Sequence, residues 1–142
     1  MYTATTRAIQ VTVRPQYLPD QSEPAKFQFV WEYRVRIENK GDVAVQLLSR
    51  HWKITDALGR LRDVKGPGVI GKTPRLRPGE AFEYTSGTPL STPSGFMGGT
   101  YQMVSETGEN FDIEIPTFSL DMPTAERRRH SLDTPTAERR LN

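Results

Sequence analysis

Cysteine is missing from the 142-residue chain, which removes disulfides, thiolate metal sites and cysteine nucleophiles at once and suits a reducing cytoplasm. Long hydrophobic runs are missing too. No stretch reaches 18 apolar residues, and the opening MYTATTRAIQ holds no apolar segment of the secretory kind. The sequence therefore predicts neither a membrane span nor a secretion signal, and points to a cytoplasmic protein. Charge of one sign is also lacking, since 19 Lys and Arg stand against 17 Asp and Glu for a net +2. The basic residues are interspersed with acidic ones along the chain, which argues against dedicated nucleic-acid binding.

A chain of this length is the usual size of one domain and buries roughly 68–70% of its unfolded surface. Its dominant periodicity is two. In Lys26 to Asn39, KFQFVWEYRVRIEN, the odd positions Phe27, Phe29, Trp31, Tyr33, Val35 and Ile37 are apolar and the even ones polar except Val30. That pattern is a long half-buried strand. The same alternation recurs at Ile9, Val11 and Val13, at Val43, Val45 and Leu47, at Phe82 and Tyr84, and at Phe111, Ile113 and Ile115. Turn signals separate these runs at 39–42, 56–59, 78–79 and 107–110. No window before residue 120 shows an apolar stripe at helical spacing, so the sequence predicts an all-β, two-sheet antiparallel sandwich over one core. One irregularity stands out. Val43 to Leu47 keep the odd phase, whereas Trp52 and Ile54 are even, so a bulge or a sheet crossing is expected near Leu48 to Arg50, with Trp52 inside and His51 outside.

Gly66-Pro67-Gly68-Val69-Ile70-Gly71 matches the letters of the dinucleotide-binding fingerprint G-x-G-x-x-G. The fingerprint works only where a strand enters it and a helix leaves it. Here Lys72-Thr73-Pro74-Arg75-Leu76-Arg77-Pro78 follows, and two prolines four apart preclude an undisturbed helix, so the nucleotide-binding context fails. Two readings stay open. The stretch is a Gly-rich connection stiffened by Pro74, or its consecutive amides form an anion nest flanked by Lys65 and Lys72. Gly66, Gly68, Gly71, Lys72 and Pro74 are accordingly candidates for an anion-binding or partner-binding loop.

Four separated segments, LSRHWKITDALG at 48–59, GPGVIGKTPRLRPGEAFEYTSGTPL at 66–90, TPSGFMGGTYQMV at 92–104 and FDIEIPTFSL at 111–120, resemble the bacterial ApaG family in the right order. The resemblance covers nearly all of residues 3–120 and implies an immunoglobulin-like or fibronectin type III-like sandwich, in agreement with the strand reading. It also implies a link, in enteric bacteria, to cobalt resistance and magnesium efflux. Similar domains in a eukaryotic F-box protein and a DNA polymerase delta-interacting protein look like protein-interaction modules.

The residues themselves signal no catalysis. Residues 1–120 hold one histidine, His51, with no G-x-S-x-G elbow and no carboxylate that the sequence pairs with it. A zinc-type site lacks its ligands, and no cofactor is implied. Weak Mg²⁺-type binding needs only one or two carboxylates, for which Asp56, Asp63, Glu80 and Glu83 are candidates, although no spacing selects among them. Phe96 and Met97, set among glycines and small polar residues, either present an exposed surface for a protein partner together with His51 and the 66–74 loop, or cap one end of the sandwich.

The chain ends in a duplication. SLDMPTAERRRH at 119–130 and SLDTPTAERRLN at 131–142 agree at nine positions. Two copies cannot build a solenoid, so residues 121–142 are expected to form a tail outside a domain of residues 1–120. Truncation after residue 121 is then expected to leave the thermal midpoint nearly unchanged.

Overall fold

The computed structural model describes residues 1–126. The second copy of the duplication, and the end of the first, lie outside them. Nine strands form the fold: β1 Tyr2–Thr6, β2 Ile9–Tyr17, β3 Phe29–Asn39, β4 Val45–Asp56, β5 Leu61–Pro67, β6 Arg75–Leu76, β7 Ala81–Leu90, β8 Ser94–Ser105 and β9 Asn110–Asp121. A four-stranded sheet, β1-β2-β3-β7, faces a five-stranded one, β5-β4-β8-β9 with β6 also on β4, and all pairings are antiparallel. With β1 and the two-residue β6 set aside, this is the strand arrangement of an immunoglobulin-like or fibronectin type III-like sandwich.

Alternation places the core. In β3, Phe29, Trp31, Tyr33, Val35 and Ile37 are all buried, and the polar residues between them face outward. From the other sheet, Trp52 meets Tyr33 at 5.1 Å, with Tyr101 and Phe118 edge-on to it at 6.3 and 6.0 Å. The hydroxyls of Tyr84 and Tyr101 hydrogen-bond across the core, and burial pushes both phenols above their ordinary range. This gives the two sheets a satisfied polar link within an apolar interior.

Both sides of the sandwich are stitched. Thr6 Oγ1 accepts from the Glu114 amide at 3.1 Å, tying β1 to β9. On the opposite side Arg62 of β5 donates to Thr88 Oγ1 at 2.8 Å and to the Pro89 carbonyl at 3.2 Å on β7.

The phase slip expected near residue 48 is a bulge. Register shifts between Leu47 and Ser49, which leaves Leu48 on the outside and returns Trp52 and Ile54 to the core. A second bulge, in β9, sets Pro116 and Thr117 against the single Gly98 of β8 and switches the buried set of β9 from Ile113 and Ile115 to Phe118 and Leu120. Proline inside a strand is tolerated at such a bulge.

Three expectations change. Phe27 does not begin β3. It closes a one-turn 3-10 helix in the left-handed region (φ 56°) and is 72% exposed, because Pro24 starts that turn and interrupts the strand. Phe96 and Met97, expected to act together as an exposed surface or as an end cap, belong instead to a central strand: the glycines at 95, 98 and 99 around them lie inside β8, between β4 and β9. The packed unit also passes residue 120. β9 runs to Asp121, the Met122 amide donates to the Pro93 carbonyl at 2.9 Å, and Met122 is buried. Truncation after Asp121 removes that side chain, so the midpoint should fall by the equivalent of about 2 kcal/mol relative to a chain ending at Glu126. Equal midpoints by calorimetry would show that Met122 contributes nothing.

Candidate interaction surface

The Gly-rich stretch is built by β5 and a miniature hairpin. Gly66 and Pro67 complete β5, opposite Arg50 and Ser49. Beyond them Val69 and Lys72 exchange both backbone hydrogen bonds, at 2.8 and 2.9 Å, around Ile70 (φ 43°) and Gly71 (φ 77°). Two successive positive φ values are the signature of a type I′ turn. Val69 is buried and anchors the loop, while the Gly68 amide donates to the Leu48 carbonyl at 2.8 Å. The amides of Gly68, Val69 and Lys72 are thus committed to the fold. A nest requires a run of free convergent N–H groups, and of the amides from Gly68 to Gly71 those of Ile70 and Gly71 are left for one.

What organises the loop is a residue the sequence reading passed over. Arg50 shares the even phase of Trp52 and Ile54, so its side chain starts on the inner face, between Gly66 of β5 and Tyr101 of β8. Its Nη1 donates to the carbonyls of Pro67 and Gly68, at 3.0 Å each. A Cβ on Gly66 would come within 2.9 Å of Nη1, so glycine at 66 makes room for that guanidinium. Pro74 finishes the loop, accepting the Leu47 amide at 3.0 Å.

His51 lies on the outer face, opposite Lys65 and Thr100. Its Nε2 is 2.7 Å from Asp63 Oδ1, a carboxylate that the sequence did not pair with it. The hydrogen bond to His51 holds the Asp63 carboxyl below its ordinary value of 3.8. A depressed carboxyl pKa stabilises the fold fully above that ordinary value, and the contribution is lost as pH falls through the lower folded value. Asp63→Asn should therefore lower the midpoint near neutral pH, and the gap between the two proteins should narrow as pH falls below the ordinary carboxylate value. A gap independent of pH would refute the assignment. Among the described residues the His51 ring makes no other hydrogen bond, and no group of three or more His, Asp or Glu is placed to hold a metal ion.

Phe96 and Met97 separate, as neighbours on a strand must. Phe96 faces outward and is 49% exposed. Met97 is fully buried between Ile54 and Phe118, so its expected place on a partner surface is corrected. The expected two-part surface is also split. Pro67 lies opposite Ser49 and Phe96 opposite Thr55, six residues further along β4, or about 20 Å.

A different apolar cluster surrounds Phe96. Thr55 pairs with Leu61 on one side and with Phe96 on the other, so the three form one row across the outer face of β5, β4 and β8. Leu61 is 57% exposed, and Leu58, at the tip of the turn joining β4 to β5, is 71% exposed. The turn is held from beneath: Asp56 accepts the Leu58 and Arg60 amides at 2.9 and 3.0 Å and the Arg60 Nε at 2.6 Å.

Fold and surface together define a small immunoglobulin-like β-sandwich whose distinguishing features are on sheet faces and turns. Comparison with known proteins gives it a family. The ApaG domain matches residues 19–105, and the chain belongs to that family. Curated relatives named Protein ApaG include one from Paramagnetospirillum magneticum, 65% identical over 90% of this chain and 98% of its own length, and one from Rhodospirillum centenum, 62% identical over the same shares. A Bordetella pertussis crystal structure described as an ApaA protein is 51% identical, covers 82% of this chain and 94% of its own, and superposes with a TM-score of 0.80. Among the described residues no helix is long and apolar enough to cross a membrane.

Proposed function

We propose that this ApaG-domain chain is a non-enzymatic protein-binding module that meets its partner through the row Leu61, Thr55 and Phe96 with Leu58 at its end. The observation that supports this reading most is the register: three exposed large apolar side chains gather at one end of a sheet face that carries Lys53, Asp63 and Glu114 beyond them, with Leu48 apart from the cluster at the bulge. Contiguous exposed apolar patches rimmed by polar residues mark interaction sites, and aromatic anchors at their centre carry most of the binding energy. We place the partner in the cytoplasm and in divalent-cation homeostasis, following the cobalt and magnesium link that family membership implies.

The test uses Leu61→Asp and Phe96→Asp. Both positions are exposed, so each variant should keep its midpoint within about 0.5 kcal/mol of the parent. Both should lose a partner captured from the native cytoplasm, and Phe96→Ala alone should weaken it roughly 30-fold, the effect of losing about 2 kcal/mol. Calorimetric titration with Mg²⁺ and Co²⁺ separates partner control from direct ion binding; saturable heat with either ion would favour the latter.

A further inference from the structure

The outer face of the four-stranded sheet brings together basic residues that are scattered in sequence. Register sets Arg14 of β2 directly opposite Arg34 of β3, and sets Arg36 opposite both Thr12 of β2 and Glu83 of β7. Positions 12, 14, 34, 36 and 83 therefore share one face. Their side chains line a depression of about 200 Å³.

The charges in that depression do not balance. Glu83 lies 3.6 Å from Arg34 and 3.3 Å from Arg36, and Arg36 also reaches Glu38 at 3.3 Å. Arg14 makes no ion pair among the described residues; its one side-chain contact of this kind is the Met1 sulfur, at 3.4 Å. With Glu38 counted beside the lining, three guanidinium groups face two carboxylates, a net charge of +1. Like charges directly opposite each other weaken a sheet. Arg14 and Arg34 nevertheless face one another with no carboxylate assigned to Arg14.

We propose that this face is an oxyanion site, holding a phosphoryl-type anion such as phosphate or pyrophosphate between Arg14 and Arg34. Arg36 and the Thr12 hydroxyl complete the ring of donors. The guanidinium fork matches an oxyanion's geometry and binds it in two-pronged fashion, and an anion seated there converts a repulsive cross-strand pair into a bridged one. The side chains of Arg34 and Arg36 are 65% and 47% exposed. Binding is therefore screened by salt and weak, with Kd on the order of 1 mM. The site is on the opposite sheet from the Gly-rich loop, so the two are separable by experiment.

The experiment titrates isotopically labelled full-length chain with sodium phosphate and with sodium pyrophosphate, at ionic strength held constant with NaCl. Saturable shifts are expected at residues 12–14, 34–36 and 83–85, with pyrophosphate saturating at lower concentration. Arg14→Gln and Arg34→Gln should each raise Kd at least roughly 10-fold, because each removes a whole guanidinium fork. Folding provides a control with the opposite sign: without added phosphate, both variants should melt at or above the wild-type temperature, since the like-charge pair is gone. Shifts that stay linear and are reproduced by NaCl alone would overturn the proposal. So would saturable shifts at residues 66–72 in place of the arginine face, or an Arg14→Gln variant with wild-type affinity.

Discussion

Gly99→Ala should destabilise the domain by about 3 kcal/mol or more, the upper end of what overpacking costs, and lower the midpoint by roughly 10 °C. The usual effect of this substitution has the opposite sign. Replacing glycine with alanine stabilises by about 0.4–1 kcal/mol where the backbone permits, because the unfolded chain loses freedom. At residue 99 steric exclusion decides the sign. A Cβ there would stand 2.0 Å from the His51 carbonyl oxygen and 3.1 Å from the Trp52 Cα. Both obstacles are backbone atoms of the neighbouring strand, so no rotamer change relieves the contact. Strands β4 and β8 would have to part where Trp52 and Tyr101 interlock. A midpoint within 2 °C of the parent would mean that the bulge absorbs a side chain without cost.

Trp52→Ala should cost about 4 kcal/mol, the middle of the range for emptying a large aromatic site, and lower the midpoint by roughly 15 °C. Trp52 is 2% exposed and is ringed by Tyr33, Tyr101 and Phe118, rings drawn from both sheets. Sandwich backbones are held by long ladders and relax little, so the cavity stays open and the full transfer and cavity costs are felt. Trp52→Phe should recover part of the loss by refilling most of the volume. Urea denaturation with an unchanged m-value checks both variants. A loss below 1 kcal/mol would show that the inter-sheet core is not centred on Trp52.

Much of this architecture is legible in the sequence, because a half-buried strand writes its burial as alternation. The β3 and β4 patterns, the phase slip at Leu48 and the inward Trp52 are all consequences of a period of two. The missing parts have physical reasons too. β1 escaped because its hairpin turns on Arg7 and Ala8, at φ 50° and 66°, where glycine or asparagine would have signalled the turn. Arg7 holds its place through an ion pair with Glu109 and by lying 4.3 Å over the Phe111 ring, contacts across a hundred residues that no local pattern records. β8 escaped because close approach to β4 and β9 excludes side chains at Gly98 and Gly99, and with them the alternation a strand usually shows.

The site residues were less legible for a related reason: a site is a product of register. Leu61, Thr55 and Phe96 share a row only because the bulge at Leu48 and the turn at 56–59 set which residues stand opposite. The same holds for Asp63 beside His51, and for Arg14 facing Arg34. One of these signals was available earlier. Arg50 shares the phase of Trp52 and Ile54, and an arginine in an inward phase asks what holds it; the Pro67 and Gly68 carbonyls are the answer. GPGVIG, which matches a phosphate fingerprint in letters only, is accordingly a turn whose Gly66 accommodates a guanidinium and whose Gly68, at φ 60° with a prospective Cβ 2.3 Å from the Lys72 carbonyl oxygen, admits no other residue without strain.

The central functional claim is that the outer face around Phe96 is the binding surface and the Gly-rich loop is scaffold. Its most direct test is a quantitative capture experiment with three matched baits: the parent chain, Phe96→Asp and the loop variant Lys72→Ala, each shown first to melt as the parent does. A partner enriched by the parent should be retained by Lys72→Ala and lost with Phe96→Asp. The same proteins on the parent and Phe96→Asp baits, or a partner lost only with Lys72→Ala, would contradict it.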